Sequence, residues 1–349
     1  MGNKPHVYHY QHPFQLELGG SLPDLEIAYH TFGKLNADGD NVVWICHALT
    51  ANSDPTEWWP GLVGEGRLFD PENHFIVCAN ILGSCYETTG PLSVNPETGR
   101  PWYHQFPKIT IRDMVSVHEI LRKHLKIQKI NTLIGGSMGG HQALEWAIEK
   151  PFLFENVILL ATSASISPWA IAFNQSQRLA IEADSTYFEG WAKGGMAGLK
   201  AARAVALLSY RNNEAYNLTQ ADNDVNKTAF FRAVTYQNYQ GDKLLKRFNA
   251  YSYHLLTRVM DTHNAGRNRN SIAEALRRVR AKTLVVAITS DILFPPADMR
   301  IIHQNIPGSS FYEINSPYGH DGFLIEHEQL TGIIQQFYQK QKQEHETAA

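Results

Sequence analysis

The run Gly135-Gly136-Ser137-Met138-Gly139-Gly140 places a serine among glycines, after a short apolar segment at 132–134 and before a helix-forming segment at 138–150. In a strand–turn–helix setting this G-x-S-x-G pattern reads as a nucleophile turn. The sharp bend lifts the serine Oγ clear of the sheet, and only glycine leaves room for strand and helix to pass so closely. The turn also puts Ser137 at a helix N-terminus, where free N–H groups favour negative charge. A glycine-rich loop whose serine merely caps the helix is the competing reading, and partner residues decide between the two.

A serine nucleophile needs a base to take its proton and a third group to orient that base. With this type of turn the partners follow in the order Ser, Asp or Glu, His. Asp291 comes directly after the apolar run 283–289, at a strand's carboxyl end, where active-site groups of open α/β sheets gather. His320 follows the last apolar run in Tyr318-Gly319-His320-Asp321-Gly322, whose glycines suit a loop that aims an imidazole inward. Asp298 is a rival acid, but it falls later, after Pro295-Pro296; His303 and His327 are rival bases, but they lie in helix-like segments. The chemistry expected is acyl transfer through Ser137, with His320 Nε2 as base and Asp291 accepting from Nδ1–H. The oxyanion needs two backbone N–H donors: one from Met138, the other from the loop His47-Ala48-Leu49-Thr50.

The elements that must position these groups alternate. Apolar, β-branched runs lie at Val42–Cys46 and at 75–82, 132–134 and 157–161, and resume at 283–289 and 310–315. Short continuous runs of this kind fit strands buried on both faces. Segment 110–125 carries a 3.6-residue apolar stripe (Ile111, Met114, Val115, Val117, Ile120, Leu121, Leu125), with Thr110 as N-cap and Asp113 three residues on. Segment 138–150 is a second helix and stops at Pro151. Strands alternating with helices imply a mostly parallel central sheet flanked by helices. From about 165 to 278 the strand signal vanishes and the chain reads as helical. The organisation expected is an α/β core from residues 1–164 and 279–349, with a helical insertion at 165–278. An antiparallel hairpin over 14–29 is expected at the sheet edge. A closing helix is expected near 328–339, with residues 340–349 as a frayed tail.

Composition narrows the function. The 349 residues are 43% hydrophobic, enough to bury a core and to exclude wholesale disorder. A net charge of −3 with no basic cluster gives no case for nucleic acid. No stretch approaches the roughly 18 apolar residues that span a bilayer, and the N-terminus lacks the apolar block of a secretory signal, so a cytoplasmic protein without a membrane partner is expected. Cys46, Cys78 and Cys85 are too sparse for a disulfide framework and read as reduced thiols, the first two as core residues. No metal-ligand spacing and no glycine-rich phosphate loop appears.

Beyond the serine turn, the segments HALT (47–50), SCYETTGP (84–91), NPETG (95–99), ITIRDM (109–114), GGSMGGHQALEWA (135–147), SPWAIAFNQSQR (167–178), SDILFP (290–295) and YGHD (318–321) together resemble homoserine O-acetyltransferases, α/β-hydrolase-fold acyltransferases of methionine biosynthesis. The matches run in order through both core segments and the insertion. The resemblance implies a triad of Ser137, Asp291 and His320, and oxyanion N–H groups from Leu49 and Met138. It implies ping-pong transfer of acetyl from acetyl-CoA, a co-substrate with no resident cofactor beside it, to the hydroxyl of L-homoserine. It implies a helical lid that forms a tunnel and a homodimer interface. Arg203, in Gly198-Leu199-x-x-Ala202-Arg203, is implied to grip the substrate carboxylate and Asp321 the ammonium; a guanidinium can hold a carboxylate with two parallel bonds. Arg178 and Arg211 compete for Arg203's role. The chain departs from the family at Ala51, Ser84, Glu87 and His141, positions expected near the acyl pocket or its rim. Homoserine or serine O-succinyltransferase and carboxylesterase are the alternative activities, and a non-catalytic scaffold is the third reading.

Overall fold

The computed structural model describes residues 4–348, the last few by backbone alone. Eight strands form the main sheet: β1 (His6–Tyr10), β2 (Leu25–Phe32), β3 (Val42–Cys46), β4 (Phe75–Ala79), β5 (Ile130–Gly136), β6 (Phe154–Leu160), β7 (Lys282–Ile288) and β8 (Ser310–Ile314). Their spatial order is β1-β2-β4-β3-β5-β6-β7-β8. From β4 to β8 every pairing is parallel; β1–β2 and β2–β4 are antiparallel.

Alternation along each strand explains why the runs are continuously apolar. Val42, Trp44 and Cys46 of β3 face one side of the sheet, and Val43 and Ile45 pack with a separate cluster on the other. Both faces are therefore covered, as a parallel sheet requires. On the first face lie α1 (Ile111–His124) and α2 (Met138–Glu149). The stripe on α1 buries Ile111, Met114, Val115, Val117 and Leu121, and its start is a full capping box: Thr110 N–H donates to Asp113 Oδ2 at 2.8 Å while Thr110 Oγ1 accepts from Asp113 N–H.

Between β6 and β7 the chain forms α3 (Pro168–Glu182), α4 (Met196–Tyr210), α5 (Asn213–Gln220), α6 (Arg232–Leu245), α7 (Ala250–Asp261) and the short α8 (Ile272–Leu276). These helices pack mainly on one another, α4 against both α3 and α6. Arg267 and Arg269, near the end of this stretch, ion-pair with Glu17 and Glu145 and so fasten it to the core. After β7 come α9 (Pro296–Asn305) and, past β8, α10 (His327–Ala348).

Three expectations need correction. The antiparallel edge is not a hairpin over 14–29. Phe14–Gln15 and Ser21–Leu22 form their own two-stranded pair, and β2 instead joins the sheet between β4 and a strand at His6–Tyr10 that polar histidines hid from the apolar pattern. The expected frayed tail is helical to Ala348, because a Lys/Gln/Glu-rich segment is polar yet consists of good helix formers. Strand ends also shift: 75–82 stops at Ala79, and 132–134 extends to Ile130–Gly136.

Gly139 is the tightest point. A Cβ there would sit 2.0 Å from the carbonyl oxygen of Cys46, a backbone atom with nowhere to go. Gly332, on α10, has nothing within 4 Å of the same position. Gly139→Ala should therefore cost about 3 kcal/mol or more in urea unfolding, while Gly332→Ala should stabilise by up to about 1 kcal/mol. Similar values for the two variants would refute the close approach.

Candidate active site

The turn at Ser137 is strained in the sense that a nucleophile turn requires. Its φ of 56° and ψ of −127° lie where side-chain-bearing residues rarely go, a cost of order 1–3 kcal/mol. Neighbouring hydrogen bonds hold it there. Ser137 N–H is shared between the carbonyls of Leu160 at 3.0 Å and Ala161 at 3.2 Å, and Ser137 C=O accepts from Thr162 Oγ1 at 2.9 Å. Register brings the other side of the site to the same edge. Cys46 is paired with Gly135, so the loop from His47 and the serine turn leave the sheet side by side.

Asp291 and His320, both buried, arrive from the ends of β7 and β8. Asp291 Oδ2 accepts from His320 Nδ1 at 2.7 Å, and its Oδ1 accepts from the N–H groups of Leu293 (2.8 Å) and Phe294 (2.9 Å). A carboxylate only accepts, so Nδ1 carries the proton and Nε2 is left as the acceptor. Nε2 is buried with no hydrogen-bond partner, and His320 and Ser137 line one cavity. Burial alone would push the imidazole pKa down. The charge of Asp291 and its hydrogen bond, with Asp321 adding to them, outweigh burial, so the net shift is upward. Of the rivals, Asp298 is half-buried and near enough to Asp291 to feel its charge, but its Oδ2 has no hydrogen-bond partner among the described residues; His303 Nδ1 pairs with Ser309 Oγ, and His327 Nδ1 with Ile325 C=O.

The cavity has a volume of ≈ 510 Å³, and Leu49, Arg203, Tyr210 and Asp321 also line it. Arg203 reaches it from α4 with its Nε shut off from solvent and without a partner, its guanidinium 5.3 Å from the Tyr210 ring centre. Asp321 is not a free carboxylate. Its Oδ2 lies 2.9 Å from Arg211 Nε, out of line for a hydrogen bond, so the attraction is coulombic. Desolvation raises the Asp321 carboxyl above its ordinary range, opposed by Arg211 first and then Arg203. Arg178 is remote from this cavity, tied to Asp261 at 2.6 Å. Of the four departures from the family pattern, only Ala51 lines the cavity. His141 sits one ring behind His320, stacked on His263 at 4.3 Å and set edge-on to Phe294, which in turn contacts His320.

Sequence reasoning left His47 without a role. It is fully buried, its Nδ1 donates to Ala48 C=O at 2.8 Å, and its Nε2 accepts from Ile81 N–H at 3.1 Å. Burial, with a smaller push from His118, lowers its pKa to about 4 despite the Ala48 bond, so it stays neutral. Gln142 completes the brace, donating from Nε2 to the carbonyls of His47 (3.2 Å) and Met138 (3.1 Å). The two segments expected to supply oxyanion donors are thus cross-linked. Tyr210 was also missed, although its place seven residues after Arg203 puts both on one helix face.

A strand order with the glycine-flanked serine turn after β5, an aspartate after β7 and a histidine after β8 is that of an α/β hydrolase, and a family model described as the alpha/beta hydrolase fold matches residues 41–326. A homoserine O-acetyltransferase of Cyclobacterium marinum is 46% identical over 332 residues, 95% of this chain and 94% of that protein. The crystal structure of a homoserine O-acetyltransferase from Staphylococcus aureus superposes with a TM-score of 0.78 at 27% identity, covering 95% of this chain and 94% of that one. Esterase E22 superposes with a TM-score of 0.86 at 24% identity, over 96% of this chain and 99% of that one, a likeness of fold alone. The chain belongs to the homoserine O-acetyltransferase family of α/β hydrolases.

The upward shift of His320 carries a sign. Catalysis by a base needs the neutral imidazole, so activity should fall as pH drops through a pKa above the ordinary 6.5. Asp291→Asn should cut kcat about a thousandfold or more and move that acid limb to lower pH. A pH–rate profile whose acid limb does not move would assign it to another group.

Proposed function

We propose that this protein is a homoserine O-acetyltransferase working through an acetyl-Ser137 intermediate. The observation that carries the reading is one cavity holding Ser137, the Asp291-oriented His320 and the buried, unpartnered Nε of Arg203. The first two supply acyl transfer through a serine; the third gives a cation for a substrate carboxylate, which a simple esterase does not need.

His320 Nε2 takes the Ser137 proton as Oγ attacks the thioester carbonyl of acetyl-CoA. The N–H groups of Leu49 and Met138 hold the oxyanion; Met138 opens α2, so its N–H has no acceptor within the helix. The C–S bond breaks, and the imidazolium returns its proton to the departing thiolate. L-homoserine then enters with its carboxylate on Arg203 and its ammonium toward Asp321, whose partial neutralisation by Arg211 leaves it able to face a second cation. His320 deprotonates the hydroxyl, which attacks the acetyl carbonyl. Collapse frees O-acetylhomoserine and returns the proton to Ser137 Oγ. Acetyl-CoA is a co-substrate, and no resident cofactor is used.

The chain divides into a core (1–164 and 279–349) and a helical lid (165–278). The lid excludes water so that an alcohol resolves the acyl-enzyme, and its outward apolar residues, such as Trp169, Leu179 and Leu218, suit a homodimer contact. The compartment is the cytoplasm.

Thiol release should require a donor and accelerate with L-homoserine, and Ser137→Ala should lower it at least about a thousandfold while the protein stays folded by circular dichroism. Release unaffected by homoserine would favour an esterase, and preference for succinyl-CoA or for L-serine would favour the corresponding alternative. Arg203→Ala should raise the KM for L-homoserine about ten- to a hundredfold and slow hydrolysis of p-nitrophenyl acetate far less. Equal losses would make Arg203 structural.

A further inference from the structure

The cavity has a charged mouth that the acyl-transfer chemistry does not use. Ser137 and His320 lie at its buried end, whereas Lys243 and Arg247 line the same cavity where it opens to solvent, and both are exposed. Lys243 is in the last turn of α6, and Arg247 follows one turn later, so the two cations sit on the same side of the chain. Arg247 is anchored. Its Nη1 donates to Tyr86 Oη at 2.8 Å and to the carbonyl of Thr50, the residue after Leu49, while its Nη2 and Nε have no partner among the described residues. Lys243 forms no ion pair among the described residues; the neighbouring Asp242 is engaged by Lys200 at 2.8 Å. Among the described residues Glu57 is the exposed carboxylate that lines the cavity here, and its Oε2 accepts from Asn52 Nδ2 at 2.9 Å. Two cations therefore face one anion, and half a guanidinium is free for a bidentate contact.

An unpaired lysine beside a half-free arginine is the donor set for phosphate oxygens. Resting on the acyl-CoA reading above, we propose that Lys243 and Arg247 form an anion subsite that receives the phosphate-bearing end of the donor while its thioester reaches Ser137. The uncharged pantetheine arm crosses the cavity, and the pyrophosphate and 3′-phosphate remain at the mouth. The acceptor amino acid carries no phosphate, so the subsite acts only in the first half-reaction.

The test compares two donors with the same thioester and arm, acetyl-CoA and S-acetylpantetheine, which lacks every phosphate. In wild-type protein the KM for acetyl-CoA should rise with added salt much more than that for S-acetylpantetheine. Lys243→Glu should lower kcat/KM for acetyl-CoA relative to S-acetylpantetheine about tenfold, mostly through KM, and Lys243→Arg should restore the ratio. Lys243 is the position to change because Arg247 also supports the Thr50 loop, where a substitution would affect both donors. An unchanged ratio in Lys243→Glu, or equal salt sensitivity for the two donors, would overturn the subsite while leaving the acyltransferase intact. Wild-type protein that transfers acetyl from neither donor would overturn the acyltransferase reading and the subsite with it.

Discussion

At Gly139 the start of α2 passes so close to the end of β3 that no side-chain atom fits between them, and the rest of the site depends on that approach. It sets Ser137 at the head of a helix, in a backbone conformation it would not choose alone, beside the loop that begins at His47. Gly135 faces the same difficulty from the other side, where a Cβ would lie 2.2 Å from the carbonyl oxygen of Gly139. Relaxing the turn by adding atoms would separate Ser137 from the loop. The buried His47 and Gln142 then keep that loop from drifting, at the expense of holding an imidazole neutral deep in the core.

The second constraint is electrostatic. Burying the Asp291 carboxylate would be prohibitive without compensation, and three donors surround it: two backbone N–H groups and His320 Nδ1. That arrangement fixes the tautomer, turns Nε2 toward the cavity and makes the imidazole a better proton acceptor than burial alone would allow. Phe294 and Phe323 pack against the ring, so its orientation is set by contacts as well as by charge.

What could be read from the sequence was what depends on local pattern. Val42–Cys46 is a strand with the bounds its apolar run implied, and Thr110 with Asp113 forms the capping box their spacing suggested. The glycine-flanked serine, the aspartate after a strand and the histidine between glycines could be singled out because each follows a strand, and the structure brings Asp291 onto His320 and His320 into one cavity with Ser137. What stayed hidden depends on long-range partners. His6–Tyr10 is half-exposed and polar, and only its pairing with Leu25–Phe32 makes it a strand. The Arg211–Asp321 contact joins an insertion helix to the histidine loop, and no spacing encodes it. The brace at His47 was hidden for the same reason, since its acceptor nitrogen is met by Ile81 from the end of a different strand.

These observations divide the labour between two parts of the chain. Every group that makes or breaks a bond in the proposed reaction comes from a segment that follows a sheet strand: Ser137 after β5, Asp291 after β7 and His320 after β8. The groups proposed to recognise what enters, Arg203, Lys243 and Arg247, come with Tyr210 from the stretch between β6 and β7. The helices of that stretch pack largely on one another, and their buried apolar residues, among them Ile181, Leu199 and Tyr253, join the same cluster as Val42 and Trp44 of the sheet. A fold of this kind hosts many chemistries, so the sheet alone does not decide between water and an amino-acid hydroxyl; in the proposed reaction that choice rests on the cations and the exclusion of water that the covering segments bring to the cavity.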